Sequence, residues 1–490
     1  MRRWLTGGMA AAPPARKGIT RRQALSAAVA AGVGVGAVRL LGGALQNLGR
    51  TGTVVASGNS GGDWVSPLGS ESARVMHLLR RATFGYTPAQ LDSALSEGFS
   101  RTVDRLIETH PAEPPVLAEA STPGGRFPVA QLQQWWIDHM LATPTPFAER
   151  MTLFWHGHFT SDYRKAGDNT FMFWQNLTWR RMGMTDLRSM LMKVTTDPAM
   201  LRYLDLATSV ASNPNENYSR ELMELFSMGP GNYSEEDVRQ GALALTGWQL
   251  PRPDSFDTVT VGAKTRRLPV YDSQKSGVFN PRRGYSGSVT FLGQIGRLDA
   301  EGVVDRILAQ PATAPFIAGR VAQQFINGRP SASLTTSLGD AFRRSHYDLK
   351  TLMKALFTSD DFKAASSYRS LVKSPTEFMV HTARALGGPH PSKLIATSGA
   401  GMGQILFDPP DVGGWPNNES WISSNTVIER VNFVTAALAQ ARGSLPSAAY
   451  AATHHLDGVV GAQTAALFNQ AADERAQWFI VLASPEFQLK

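Results

Sequence analysis

From Ser70 onward, apolar residues return at helical intervals. Val75, Leu78 and Leu79 mark one stripe within 70–81, and Val103, Leu106 and Ile107 another within 99–108. That three- and four-residue spacing is the signature of amphipathic helices. Between them, Thr87-Pro88 supplies a cap and a first helical position for a helix over 89–97, and Gly98 stops it. A Pro/Gly-rich connection over 110–127 leads to longer helices predicted over 130–141, 146–155, 169–182 and 185–195. Asn213-Pro214-Asn215-Glu216 reads as a helix start with Pro in its first turn, the helix running to Met228 before Gly229-Pro230. Ser234 followed by acids opens a helix over 234–246, and further helices are predicted across 300–383, 426–441 and 462–482. Only 249–293 breaks the rhythm. Its Thr, Val, Gly and Pro content predicts a small β hairpin or an extended insertion. No βαβ alternation and no internal repeat is present. The fold class is therefore mainly α: one large multi-helix body over 75–490 carrying an irregular or β-containing insertion at 249–293.

The N-terminus follows a different logic. Thr20-Arg21-Arg22-Gln23 precedes an apolar run over 24–38 rich in Ala, Gly and Val. A basic segment ahead of a weakly hydrophobic one is the layout of a bacterial export signal, and the paired Arg21 and Arg22 mark its twin-arginine form. The run is short for a bilayer-spanning helix and Arg39 interrupts it. An N-terminal membrane helix is thus the weaker reading, and no permanent span is expected. Residues 1–56 are read as the signal, with Val54-Val55-Ala56 as a small-residue cleavage site, and 57–74 as a Gly/Ser-rich linker and lead-in. Passengers of this route fold before export, and many acquire a cofactor first.

Charge narrows the partners. The formal net charge is +8, but eight basic residues and no acidic one precede Asp63. Removing those 8 from the 48 basic residues leaves 40 against 40 acidic ones, so the body is formally neutral. It lacks the excess of positive charge that phosphate backbones require, and no nucleic-acid partner is expected. There is no cysteine, which excludes disulfides, thiolate metal sites and a cysteine nucleophile.

Three constellations carry candidate chemistry. In Trp155-His156-Gly157-His158-Phe159, two imidazoles one residue apart share a face only if the backbone is extended; on a helix they point roughly opposite ways. With Gly157 as a helix end, His156 and His158 would chelate a divalent transition metal, Asp162 completing the set. The plain alternative packs the rings against Phe154, Trp155 and Phe159. The second constellation places Asn217, Glu221 and Glu224 on one helix face, with Arg220 beside them. These are metal ligands or a general base if the helix faces the histidines, and i,i+4 ion pairs with Glu216 and Glu224 if it does not. The third is Asp408-Pro409-Pro410-Asp411-Val412-Gly413-Gly414-Trp415-Pro416, continuing to Trp421. Prolines and glycines make it a rigid loop, with Trp415 and Trp421 as an aromatic wall for sugar or peptide, and Asp411 and Asn417 as its polar groups. His77 reads as a capping or core residue and His454-His455 as surface. Phosphate-loop and HExxH signatures are absent.

The strings HLLRRATFGYTPAQL, WHGHF, NENYSRELMELFSMG, PATAPFIAGRVAQQF, KSPTEF, FDPPDVGGWP and LASPEF, in that order from about Val75 to Phe487, resemble the family known as domain of unknown function 1800. The resemblance implies an exported bacterial protein, often encoded beside a second family similar to sulfatases and alkaline phosphatases, and it implies no reaction. Members commonly carry a His-Asp pair shortly before the phrase that reads here Val289-Thr290-Phe291-Leu292-Gly293; this chain has Arg283-Gly284-Tyr285-Ser286 instead. Residues and resemblance together lead to the expectation of an extracytoplasmic metal-dependent enzyme, hydrolase-like, acting on a cell-envelope or extracellular substrate. The alternative is a non-catalytic binding or assembly protein working with the phosphatase-like neighbour. The twin-arginine translocase is the expected partner during export to the periplasm, cell surface or medium.

Overall fold

The structure, a computed structural model, describes residues 64–261, 264–388, 392–442 and 444–490. The signal segment, with Arg21, Arg22 and Val54-Val55-Ala56, lies outside the described residues. The body begins at the helix Glu71–Ala82, whose Ser70 accepts a hydrogen bond from the Ala73 N–H. Thr87 and Gln90 then form a reciprocal capping box around Pro88 at the start of Pro88–Glu97. Gly98, at φ 80°, ends that helix and starts Phe99–Glu108. The architecture is mainly α, as the periodicity predicts.

The change of character at 249–293 is β structure on a small scale. Trp248–Gln249 pairs with Val278–Phe279, Ser255–Val261 with Lys264–Val270, and Val289–Phe291 with Gln294–Gly296, each pair antiparallel. The stretch that departs from the family pattern is held by its backbone: the Arg283 carbonyl accepts from the Ala211 N–H, and the Tyr285 N–H donates to the Thr246 hydroxyl.

Two apolar cores share the molecule. One gathers Leu78, Val103, Trp155, Met190, Phe226 and Phe325; the other gathers Trp136, Phe171, Phe378, Phe433 and Trp478. The helix Pro146–His158 runs between them, giving Phe147, Met151 and Trp155 to the first and Leu153 to the second. Eleven of its thirteen residues are buried, as expected for a helix packed on all sides. Its polar residues are paired accordingly. Glu149 binds Arg180 through both carboxylate oxygens and accepts from the Trp136 indole, and His139 lies 3.3 Å away. Against the opposing effect of burial, Arg180 and His139 hold the Glu149 carboxyl at about 2.

Three sequence expectations are corrected. The helix predicted from Pro214 to Met228 spans only Asn217–Glu224. Val210 and Asn213 close a tight bridge upstream, and the Asn215 side chain accepts from the Asn217 N–H. Downstream, the Phe226 and Met228 N–H groups reach back five residues, widening the last turn. The helix predicted over 462–482 is two, Ala462–Gln470 and Glu474–Ala483, because Asp473 caps the second. His455 is buried rather than on the surface, its Nδ1 3.2 Å from His381 Nε2. No helix among the described residues is long and apolar enough to cross a membrane.

Candidate functional site

The His-Gly-His segment is helical. The helix continues through Gly157 to His158 and ends at Phe159, whose N–H bonds the Trp155 carbonyl. The extended backbone needed for chelation is therefore not formed, and the two rings leave the helix in different directions. His156 Nε2 accepts from the Phe407 N–H at 3.0 Å, with its ring edge-on to Trp136. His158 Nε2 lies 3.1 Å from the Phe226 carbonyl and donates to it, with the ring stacked on Phe154. Asp162 caps the short helix Tyr163–Ala166, accepting from the Arg164 N–H. His156, His158 and Asp162 thus face separate partners, and no group of three His, Asp or Glu among the described residues is placed to hold a metal ion. Burial lowers both imidazoles to about 3, with Arg320 adding to the effect at His158, so both are neutral.

The acidic helix does not reach them either. Arg220 is claimed by Glu216 and, through both nitrogens, by Glu235. Glu224 accepts from the Tyr233 hydroxyl. Asn217 bonds Asp205. Glu221 is half-buried, and burial followed by the neighbouring Glu224 raises its carboxyl. The phenol of nearby Tyr203 is pushed to about 12 by burial, then by Asp162, Asp411 and Glu221. The histidines meet this segment at Phe226, whose carbonyl bonds His158 and whose ring lies 6.4 Å from the His158 ring. Arg220 and Glu224 are therefore parts of ion-pair and hydrogen-bond networks, the plainer of the two readings, whereas the Glu221 carboxylate has no such partner among the described residues.

The loop that starts at Asp408 packs on the end of the His-Gly-His helix. The Phe407 backbone holds His156 and the Tyr163 N–H, Thr160 donates to the Val412 carbonyl, and Trp415 lies beside the His156 ring at 5.2 Å. Gly414, at φ 88°, approaches so closely that a Cβ there would sit 2.5 Å from the Gly157 oxygen. Asp411 is exposed and closes a turn onto the Gly413 N–H, away from the residues it was grouped with. Trp415, Asn417 and Trp421 do come together.

They line a partly open cleft with about 80 Å³ of interior space and His158 in its wall. The helix Thr313–Phe325 adjoins it and contributes Arg320, Gln323 and Gln324. Glu377, Gln404 and Lys490 form another side. Glu377 sits in the capping box that opens Pro375–Leu386, and it also binds Arg150 and Lys490. Against burial, Arg150 and Lys490 hold it at about 2. Two polar atoms of the lining have no protein partner: His158 Nδ1 and the Trp415 indole nitrogen. Arg320 makes no ion pair or hydrogen bond among the described residues. The periodicity carried one signal of it, a polar i, i+3, i+4 stripe at Arg320, Gln323 and Gln324 in an otherwise apolar helix.

A family model described as "Protein of unknown function (DUF1800)" matches residues 77–489. No curated protein and no solved structure matches the chain.

Proposed function

We propose that this chain, which belongs to the DUF1800 family, is an exported binding protein whose cleft takes a polar, hydroxyl-rich ligand, a saccharide of the cell envelope or the surroundings. The observation that carries the reading is the lining: the partly exposed Trp415, packed against Trp421 in a buried cluster with Val372 and Leu489, together with the amides of Gln323, Gln324, Gln404 and Asn417. Indoles stack on the apolar faces of sugar rings, and amides offer donor and acceptor together to hydroxyls. The Trp415 N–H and His158 Nδ1 are buried in the lining without a protein partner, where such atoms ordinarily have one.

Binding is favoured over hydrolysis by the state of the available base. A metal-dependent hydrolase needs the ligand set that His156, His158 and Asp162 do not form. The remaining candidate, His158, is held near 3 by burial and Arg320, far from the near-neutral value that makes a general base effective. Export through the twin-arginine translocase and service to a phosphatase-like neighbour belong to the same proposal, resting on the Arg21-Arg22 signal and the family resemblance.

The test is titration of the folded protein with neutral and acidic oligosaccharides, read by tryptophan fluorescence and calorimetry. Saturable binding that is lost in Trp415→Ala, with an unchanged melting profile, supports the reading. No saturable binding to any member of the panel overturns it.

A further inference from the structure

We infer that the ligand of this cleft carries an anionic group, a carboxylate or a sulfate on a saccharide, seated against Arg320. The inference rests on the proposed binding cleft and names its substrate class.

The argument begins with the position of Arg320. It shares a helix face with Gln323 and Gln324 and lines the cleft beside His158. Most arginines of this protein that are withdrawn from solvent are matched. Arg80 is bidentate to Asp457, Arg180 to Glu149, and Arg150 meets Glu377. Arg430 and Arg369 reach backbone carbonyls. Arg320, only partly exposed, has neither a carboxylate nor a carbonyl among the described residues. A guanidinium in such a place loses hydration without recovering hydrogen bonds, and its planar fork is shaped for a carboxylate or an oxyanion.

The surroundings reinforce the sign. The other cation of the lining, Lys490, is bound to Glu377, and Glu377 is shared with Arg150. Behind that wall, Lys373 donates to the Phe487 carbonyl, and Arg81 to the Ser367 carbonyl and the Ser370 hydroxyl. Burial lowers Lys490 to about 7 and Lys373 and Arg81 well below their ordinary values, so Arg320 carries the charge of this lining that lacks a partner among the described residues. His158, the nearest titratable neighbour of Arg320, is neutral and offers no compensating charge. A walled cleft with a single uncompensated sign attracts the opposite charge.

The experiment compares three oligosaccharides of equal length by calorimetry: oligogalacturonate, a neutral galacto-oligosaccharide and its sulfated form. At least one anionic ligand is expected to bind about ten- to a hundred-fold more tightly than the neutral one, the range of a charge-assisted hydrogen-bonded contact, and to weaken as salt rises. Which anion wins identifies the group. In Arg320→Gln that preference should collapse toward parity. Arg320 has no ion pair to lose, so the variant should melt like the parent. Equal affinity for all three overturns the anionic inference and leaves the cleft standing. Anionic preference that survives Arg320→Gln overturns the assignment to Arg320. Absence of binding by all three overturns both.

Discussion

Lowering the pH from 7 to 5.5 should remove a large part of the folding free energy. Besides His139, which pairs with Glu149, five histidines are buried: His77, His156, His158, His381 and His455. Burial lowers each of them, with Arg80 or Lys373 contributing at His77, His381 and His455, and the values at His156, His158 and His455 fall to about 3. A group whose folded pKa lies below its unfolded one binds protons preferentially in the unfolded state, so stability falls with pH below the unfolded value. With an unfolded pKa of about 6.5, each neutral histidine contributes a loss of about 1.3 kcal/mol between pH 7 and 5.5, or roughly 6 kcal/mol for the five. Asp197 opposes them. Burial pushes its carboxyl to about 7 despite bonds from the Met200 N–H and Gln175, so the folded state takes up a proton there and recovers about 1.6 kcal/mol. Glu149 and Glu377, held at about 2, contribute stability that is lost only below about pH 4.5. The net loss is about 4 to 5 kcal/mol, against a usual total of about 5–15 kcal/mol.

The assay is urea unfolding followed by circular dichroism at half-unit steps of pH, with proton uptake measured in weakly buffered solution. At pH 6 the balance corresponds to about three protons bound on unfolding. Uptake below one proton, or a urea midpoint flat between pH 7 and 5.5, would refute the premise that these imidazoles are neutral and enclosed.

Gly414→Ala should destabilise by about 2–4 kcal/mol, combining a left-handed backbone with a collision against the Gly157 oxygen; an unchanged melting temperature would show that the loop does not pack on the helix end. Glu149→Gln leaves the buried Arg180 without its counter-charge and should cost about 3–5 kcal/mol, read as a lowered urea midpoint or loss of soluble protein. The His156→Ala/His158→Ala double variant should leave metal content, measured by elemental mass spectrometry, unchanged. A stoichiometric metal in the parent that disappears in the variant would mean the two imidazoles do share an ion.

The helical body was legible because its signals are local: apolar spacing, Thr87-Pro88 and Ser234 as caps, and a change of composition at 249–293. The end of the helix Pro146–His158 was not. Gly157 reads as a stop, and its helical cost of about 1 kcal/mol is decided by residues far away in sequence. Phe407 and Phe226 occupy the two imidazoles, and Trp415 packs beside Gly157. At Pro214 a local start signal lost to another local device, the Asn215 turn. Trp415, Asn417 and Trp421 were legible as a wall. Arg320 was legible only as part of a polar stripe. Lys490 beside Glu377 joins residues 113 apart, and nothing in either segment announces the pairing.

The residues with the strongest appearance of chemistry turn out to build the wall behind the cleft. His156 illustrates the distinction. Its Nε2 accepts the Phe407 N–H, which it can do only while that nitrogen is unprotonated. Protonation would replace an acceptor by a donor facing a donor, and it would release the backbone that positions Val412, Gly414 and Trp415 against the helix. Apart from Lys490, which burial lowers to about 7 and which gains charge as the pH falls, the cleft should show no titration of its own, and ligand binding should fail at the same pH as the fold. If saccharide affinity, corrected for the folded fraction, drops well above the acid transition seen by circular dichroism, a group in the cleft titrates independently. His158, with its free Nδ1 beside Arg320, would then be a working base rather than part of the frame.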